Sequence, residues 1–331
     1  MKQLLKAVAF SLIFTFLAVN THNAFLLIDY RATSNPTKVE VVINNGDNGL
    51  VIAQSLYKAG VVKTAKAFYR VALSQKRSTG ISPGIHKIDA KISAKSALDQ
   101  LLDPKRNQGV LGFAEGLRAY EVIGILDNSN LLSGKYSGNL TPDKKYGTNN
   151  LEGFLFPAQY AFAPKTTVDQ AIAAMLLRFE RAAKESELDK CWGKYTPYQC
   201  LIIASIAQAE GDSQDYAKIA RVIYNRLEIG MPLQMNTTVE YAAKLRGQIR
   251  MSYKQLELNS KYNTYKYRGL PPTPIGNPGE AAMKASVNPA DGDWLFFITV
   301  KPQDTRFTKS ISQFNIWADE FRRNEEAGLF K

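Results

Sequence analysis

The sixteen residues TPYQCLIIASIAQAEG, 196–211, constrain the fold of this chain more than any other stretch. Thr196 is suited to cap a helix, Pro197 fits the first helical position and Gly211 suits the residue just past the end, so the spacing predicts a helix over 197–210. Its interior, Leu201, Ile202, Ile203, Ala204, Ile206, Ala207 and Ala209, leaves no polar face. A helix apolar all round has to be enclosed by other elements. Glu210 ends this helix, where the negative end of the helix dipole and desolvation both favour the protonated carboxyl. A carboxylic acid that keeps its proton near neutral pH is what general-acid cleavage of a glycosidic bond requires. Local sequence leaves a second reading open, a solvated glutamate at an exposed helix end.

The inventory of reactive side chains is short. Only His22 and His86 are present in 331 residues, and neither stands near a Cys, Asp or Glu cluster that would complete a metal site or a Ser/His/Asp triad. Two cysteines, Cys191 and Cys200, cannot supply a four-ligand zinc site. No metal and no cofactor is expected, and carboxylates, hydroxyls and amides remain as working groups. With 42 Lys+Arg against 30 Asp+Glu the net charge is +12, spread along the chain. Scattered cations read as a solvated basic face or as one facing an anionic surface; no nucleic-acid-binding signature accompanies them, and nucleic acid is not an expected partner.

At the amino terminus Lys2 and Lys6 precede an apolar run, 7–19, a polar break, 20–23, and a second apolar stretch, 24–28. Residues 7–28 read as an uncleaved transmembrane anchor with 1–6 cytoplasmic and the bulk of the chain outside; the alternative is a signal peptide cleaved after the first run. Outside the cytoplasm a Cys191–Cys200 disulfide is chemically permitted, although two helical positions nine residues apart can point away from each other. Residues 29–37 read as a tether. From 38 to 103 the pattern predicts a small α+β module: an alternating strand, a helix over 50–58, another over 63–74, a strand near 85–88 and a helix from Ser93 to Leu102 capped by the Ser93 hydroxyl. Residues 104–150, rich in Gly and Asn towards their end, read as exposed linking structure, and 151–331 as a larger mixed α+β domain. The fold class expected is therefore α+β with a membrane helix in front.

Beyond Gly211 a helix is expected from about Asp212 to Ile229, with Asn225 and Arg226 on its polar side. Residues 229–242 then gather Gln234, Asn236, Thr237 and Thr238 in a segment that reads as too short and polar for core. The stretch YNTYKYRGLPPTPIGNPG, 262–279, sets tyrosines beside Asn263 and Thr264 and follows them with prolines. Aromatic faces beside amides suit sugars, and proline-fixed loops hold such groups still; the other reading is a rigid structural loop with its tyrosines packed inward.

IASIAQAEG, IARVIYNRLEIGMPLQMNTTVEYA, YNTYKYRGLPPTPIGNPGEAAMKASVNP and, upstream, LEGFLFPAQY together resemble the endolytic murein transglycosylases, the MltG or YceG-like proteins, over essentially the whole chain. The resemblance implies a single-pass membrane enzyme with a LysM-like module at about 38–103 and a catalytic domain behind it. It implies a lyase that cuts nascent peptidoglycan between N-acetylmuramic acid and N-acetylglucosamine, leaves a 1,6-anhydro end and so terminates glycan elongation. The family's catalytic glutamate falls on Glu210. Gln234, Asn236, Thr238, Tyr262, Asn263, Thr264 and Tyr265 become substrate-contact candidates, and peptidoglycan synthases candidate partners. No second acid is expected to share the work, since Asp212, Asp215, Glu228 and Glu240 have ordinary local settings. The chain departs from the family pattern at Gln208, where many members carry an acid, at Asn236-Thr237 in place of Asp-Pro, and at Thr305-Arg306-Phe307 in place of His-x-Phe. The competing reading is a catalytically silent, membrane-anchored scaffold that binds peptidoglycan.

Overall fold

A computed structural model describes residues 11, 15, 29–30, 36–248 and 251–330. The expected cytoplasmic segment 1–6, nearly all of the expected anchor 7–28 and most of the tether lie outside the described residues, and among those described no helix is long and apolar enough to cross a membrane. The architecture is mixed α+β, with three two-stranded sheets and many helices among the described residues. The chain divides into two compact units, one built from 1–111, 130–133 and 159–166, the other from 112–129, 134–158 and 167–331.

The first unit opens with strand β1, Lys38–Ile43, and continues through helices α1, Gly49–Lys58, and α2, Ala65–Gln75, to strand β2, Gly84–Asp89, and helix α3, Ala94–Leu101. β1 and β2 pair antiparallel with Val41 opposite His86. Alternation in β1 turns Val41 and Ile43 inward against Ile52, Leu56, Phe68, Ile88 and Leu98 from the other four elements. Each helix starts on a polar cap, Asn48, Thr64 and Ser93, whose side chain accepts from backbone N–H groups of the first turn. Strands β3, Val110–Gly112, and β4, Gln159–Ala161, form a second small sheet.

The second unit is organised around the apolar helix. After α4, Ala119–Asp127, and α5, Val168–Glu185, comes α6, Pro197–Glu210, capped by Thr196 in a reciprocal arrangement with Gln199. Every residue of α6 from Cys200 to Ala207 is buried. It is enclosed by α5, by α7, Tyr216–Glu228, by the 151–156 segment, by α8, Asn236–Ala242, and, beyond the short α9, Tyr253–Leu256, by α10, Glu280–Val287. The hairpin of β5, Phe296–Lys301, and β6, Asp304–Thr308, and the final helix α11, Ile311–Glu326, complete the unit.

Four expectations change. Residues 104–150 are an exposed link only in their Gly- and Asn-rich part: 133–150 is mostly exposed, but α4 buries Ala119, Val122 and Leu126, Arg118 is buried before it, and Tyr146 packs on Phe154 and Phe179. The glycines that gave this stretch its linker-like composition sit at positive φ in turns, as at Gly134, Gly138 and Gly147. The helix after Gly211 starts at Tyr216, because 212–215 close a turn in which Asp215 N–H donates to the Asp212 carbonyl. Gly211 itself is extended, at φ −163°, and is not a left-handed cap; a Cβ there would come within 2.5 Å of Ile219 Cδ1, so any other residue would have to displace the end of the Ile219 side chain. The segment at 236–242 is helical and buries Thr238, Val239 and Glu240.

Cys191 and Cys200 are joined, with their Cα atoms 6.0 Å apart. Cys200 is in the first turn of α6, but Cys191 is not helical: it follows the single 3-10 turn 188–190 in an extended conformation that carries its side chain back to α6.

Candidate active site

Glu210 is half-buried at the end of α6. Its Oε1 accepts two hydrogen bonds from one residue, Thr237 Oγ1 at 2.5 Å and Thr237 N–H at 3.2 Å. Burial pushes the carboxyl pKa up, and the nearby Glu240 carboxylate pushes the same way; the Thr237 donors and the Arg226 guanidinium pull it down without cancelling the burial effect. The local features that singled out Glu210 in the sequence thus coincide with an environment that holds its proton.

A cleft of about 510 Å³ lies beside it, walled by Gln208, Ala209, Thr237, Glu240, Ser205, Glu115, Arg118, Arg246 and Gly276 among others. Gly276 is required by closeness, since a Cβ there would fall 2.8 Å from the Gly116 carbonyl oxygen. Gln208 bridges two walls: its amide N–H donates to the Glu115 carboxylate and its amide oxygen accepts from Gly279 N–H at 2.8 Å. An acid at 208 would set a second negative charge against Glu115, so the amide fits this wall.

Arg226 is not on a polar surface. It is buried, donates to the carbonyls of Leu233 and Leu295, and lies close enough to Glu210 for each to shift the other's protonation. Asn225 donates to the Gly292 and Trp294 carbonyls. Glu240 is also unlike its local reading: it is buried, and its two oxygens accept from Gly247 N–H at 3.2 Å and Gln248 N–H at 2.9 Å. Sequence pattern missed Thr237, Arg226 and Glu240 as neighbours of Glu210. The i, i+3 spacing of Thr237 and Glu240 on one short helix was the available signal.

The seven substrate-contact candidates divide. Thr238, Asn263 and Thr264 are buried and fully occupied: Thr238 Oγ1 bonds Met235 O and Thr264 Oγ1, Thr264 Oγ1 accepts from Met235 N–H, and Asn263 holds its own loop through Leu256, Leu258 and Tyr265. These three are corrected from contacts to scaffold, because a short polar side chain that satisfies backbone groups leaves nothing for a sugar. Tyr262 is half-buried, its ring tilted 46° against that of Tyr241 at 4.9 Å, with its hydroxyl on Thr273 Oγ1. Tyr265 donates to Asn236 Oδ1 at 2.6 Å, and burial, reinforced by Glu210, pushes its phenol up to about 12. Gln234 is exposed and holds a left-handed backbone at φ +50°, which costs a non-glycine residue about 1–2 kcal/mol. Gln234, Asn236, Tyr262 and Tyr265 remain accessible in whole or part. Thr305-Arg306-Phe307 lies in β6, where Arg306 pairs with Asp304 and Glu320 and Phe307 packs on Phe297.

The YceG-like family model matches residues 41–320. The endolytic murein transglycosylase of Bacillus subtilis (strain 168) is 31% identical over 307 residues, 84% of this chain and 83% of that protein. A protein of the same name from Streptococcus pneumoniae serotype 2 is 29% identical over 78% of this chain and 54% of that protein, so the chain spans about half the length of that longer relative. A crystal structure of a YceG-like protein from Listeria monocytogenes shares the fold at a TM-score of 0.52 and 26% identity, covering 84% of this chain and 98% of that one. With a match that runs from the first strand into the last helix, the chain belongs to the YceG-like family.

Proposed function

We propose that this protein is an endolytic lytic transglycosylase of peptidoglycan, a carbon–oxygen lyase, with Glu210 as its single catalytic acid and base. The observation that carries this reading is the protonation-favouring setting of Glu210 beside a cleft lined by its neighbours Ala209 and Thr237; the names of the relatives above supply the substrate class.

In this mechanism the Glu210 proton passes to the glycosidic oxygen as the bond to C1 of the muramoyl residue breaks, and the N-acetylglucosamine end leaves as an alcohol. The carboxylate then takes the proton of the C6 hydroxyl, whose oxygen bonds to C1 and closes the 1,6-anhydro ring. Glu210 ends protonated again, and no water is consumed. Hydrolytic glycosidases instead use two carboxyls, one of them to deliver water or to form a covalent bond. Tyr262, Tyr265, Asn236 and Gln234 are the side chains proposed to meet the glycan.

The arrangement of two strands and helices at 38–103 supports a LysM-like role in gripping glycan strands, and the apolar sequence of 7–28 supports a single-pass anchor with a cytoplasmic amino terminus. Such an anchor would hold the cleft outside the membrane, where new strands emerge and where a peptidoglycan synthase is the natural neighbour. Mass spectrometry of purified glycan strands after digestion tests the reaction: anhydro-muramoyl ends, one water lighter than hydrolytic ends, are expected from wild type, with about 10²–10⁴-fold fewer from Glu210→Gln. Reducing ends in their place would make the protein a hydrolase, and unchanged yield from Glu210→Gln would remove this residue from the chemistry.

A further inference from the structure

The cleft wall holds two groups that act on Glu210 in opposite senses. Thr237 and Glu240 are three residues apart on α8, so both face the same side. Thr237 places a hydroxyl and a backbone N–H on one oxygen, Oε1. Among the described residues no group donates to the other oxygen, Oε2. An oxygen already accepting two donors is the poor site for a proton, so the acidic hydrogen belongs on Oε2. Glu240 is fixed nearby by Gly247 and Gln248 N–H.

We propose that Thr237 is the positioning residue of this site, which aims the proton-bearing Oε2 of Glu210 at the substrate by occupying Oε1, and that Glu240 is its electrostatic counterweight. This rests on Glu210 being the acid of the preceding section. The groups that face Glu210 are Arg226 from α7, Thr237 and Glu240 from α8 and Tyr265 from the 262–265 loop. Arg226 is committed to the Leu233 and Leu295 carbonyls and Tyr265 to Asn236, which leaves Thr237 as the residue that bonds the carboxyl directly. Its hydroxyl favours the ionised form and the Glu240 carboxylate opposes it, so removing either moves the carboxyl midpoint, in opposite directions.

The test is a carbon-13 titration of the Glu210 side-chain carboxyl, assigned by its loss in Glu210→Gln, together with the pH profile of anhydro-end formation. Thr237→Val keeps the shape and deletes the hydroxyl: the midpoint and the alkaline limb of kcat/KM are expected to move up by about one pH unit, and kcat to fall about 10-fold with KM within about twofold. Glu240→Gln is expected to move both down. Thr237→Ser should restore the wild-type profile, and Thr237→Ala serves if the valine variant fails to fold. Midpoints that move the same way in both variants, or stay fixed in Thr237→Val and Thr237→Ala, overturn the proposal. A wild-type protein that makes no anhydro ends would sink the transglycosylase reading alone, because the carboxyl titration still decides the role of Thr237.

Discussion

Glu152→Gln should make this protein more stable at pH 8 and leave it unchanged at pH 4. Glu152 is buried, its Oε1 accepting from Ala119 N–H at 2.9 Å and its Oε2 from the Tyr241 hydroxyl at 2.8 Å. Burial pushes its pKa up to about 7 against an ordinary 4.5, although both donors and Arg118 pull the other way. The fold therefore holds this proton more tightly than the unfolded chain does. The stability it contributes is complete below pH 4.5 and is lost as pH rises through 7. The difference, 7 − 4.5 or about 2.5 pH units, corresponds to about 3 kcal/mol at 1.36 kcal/mol per unit. Glutamine reproduces the protonated acid, with its oxygen accepting from Ala119 and its amide donating to the Tyr241 hydroxyl oxygen, so the variant escapes that loss. For a unit of this size each kcal/mol moves Tm by about 2–4 °C. Thermal melts of wild type and variant, followed by near-ultraviolet circular dichroism from pH 4 to 8, should diverge only above pH 5. Parallel curves across the range, or a variant less stable at pH 8, would show that the carboxyl is already ionised in the fold at low pH and refute the reasoning.

Three other outcomes follow from the same physics. Glu210→Gln, beside its loss of activity, should gain stability relative to wild type as pH rises, since its carboxyl midpoint is also raised by burial; melts at pH 4 and 8 check the sign. Arg226→Met leaves the Leu233 and Leu295 carbonyls without their donor and should cost about 2–4 kcal/mol in urea unfolding; a neutral result would mean water replaces the guanidinium. Replacing Cys191 and Cys200 together by Ala opens a short loop against the first turn of α6 and should cost about 2–3 kcal/mol, with reductant then lowering the Tm of wild type but not of the variant.

What the sequence made legible was local. The α6 boundaries, its cap and its all-round burial follow from Thr196, Pro197 and an unbroken apolar run, and the helices of the first unit follow from inward-facing apolar residues and, for α3, the Ser93 cap, whereas the caps Asn48 and Thr64 emerge only in the structure. The long-range pairings were not legible. Arg226 reads as a surface cation by its position on α7, yet its acceptors come from Leu233 and from Leu295, 69 residues away. Glu240 reads as solvated, yet a loop folds back to give it two N–H donors. The polar triplet Thr238, Asn263 and Thr264 shows the converse error: residues suited to hydrogen-bond a sugar are equally suited to bond the backbone, and only burial distinguishes the two uses.

Glu240 bears directly on whether one acid suffices. Its proximity to Glu210 invites comparison with two-carboxyl glycosidases, in which the second group delivers water or attacks the sugar. A carboxylate in either role needs lone pairs free to face a substrate. Each Glu240 oxygen is tied to a backbone N–H, of Gly247 or Gln248, and the side chain is nearly enclosed, so little of it can meet a substrate. Held there, it disfavours the charged form of Glu210 in the same direction as burial does. Of the carboxyls at this wall, Glu240 has both oxygens bonded and Glu115 is held by the Gln208 amide, whereas Oε2 of Glu210 accepts no hydrogen bond among the described residues; a mechanism that returns the proton to the same group it left asks for no more than one such acid.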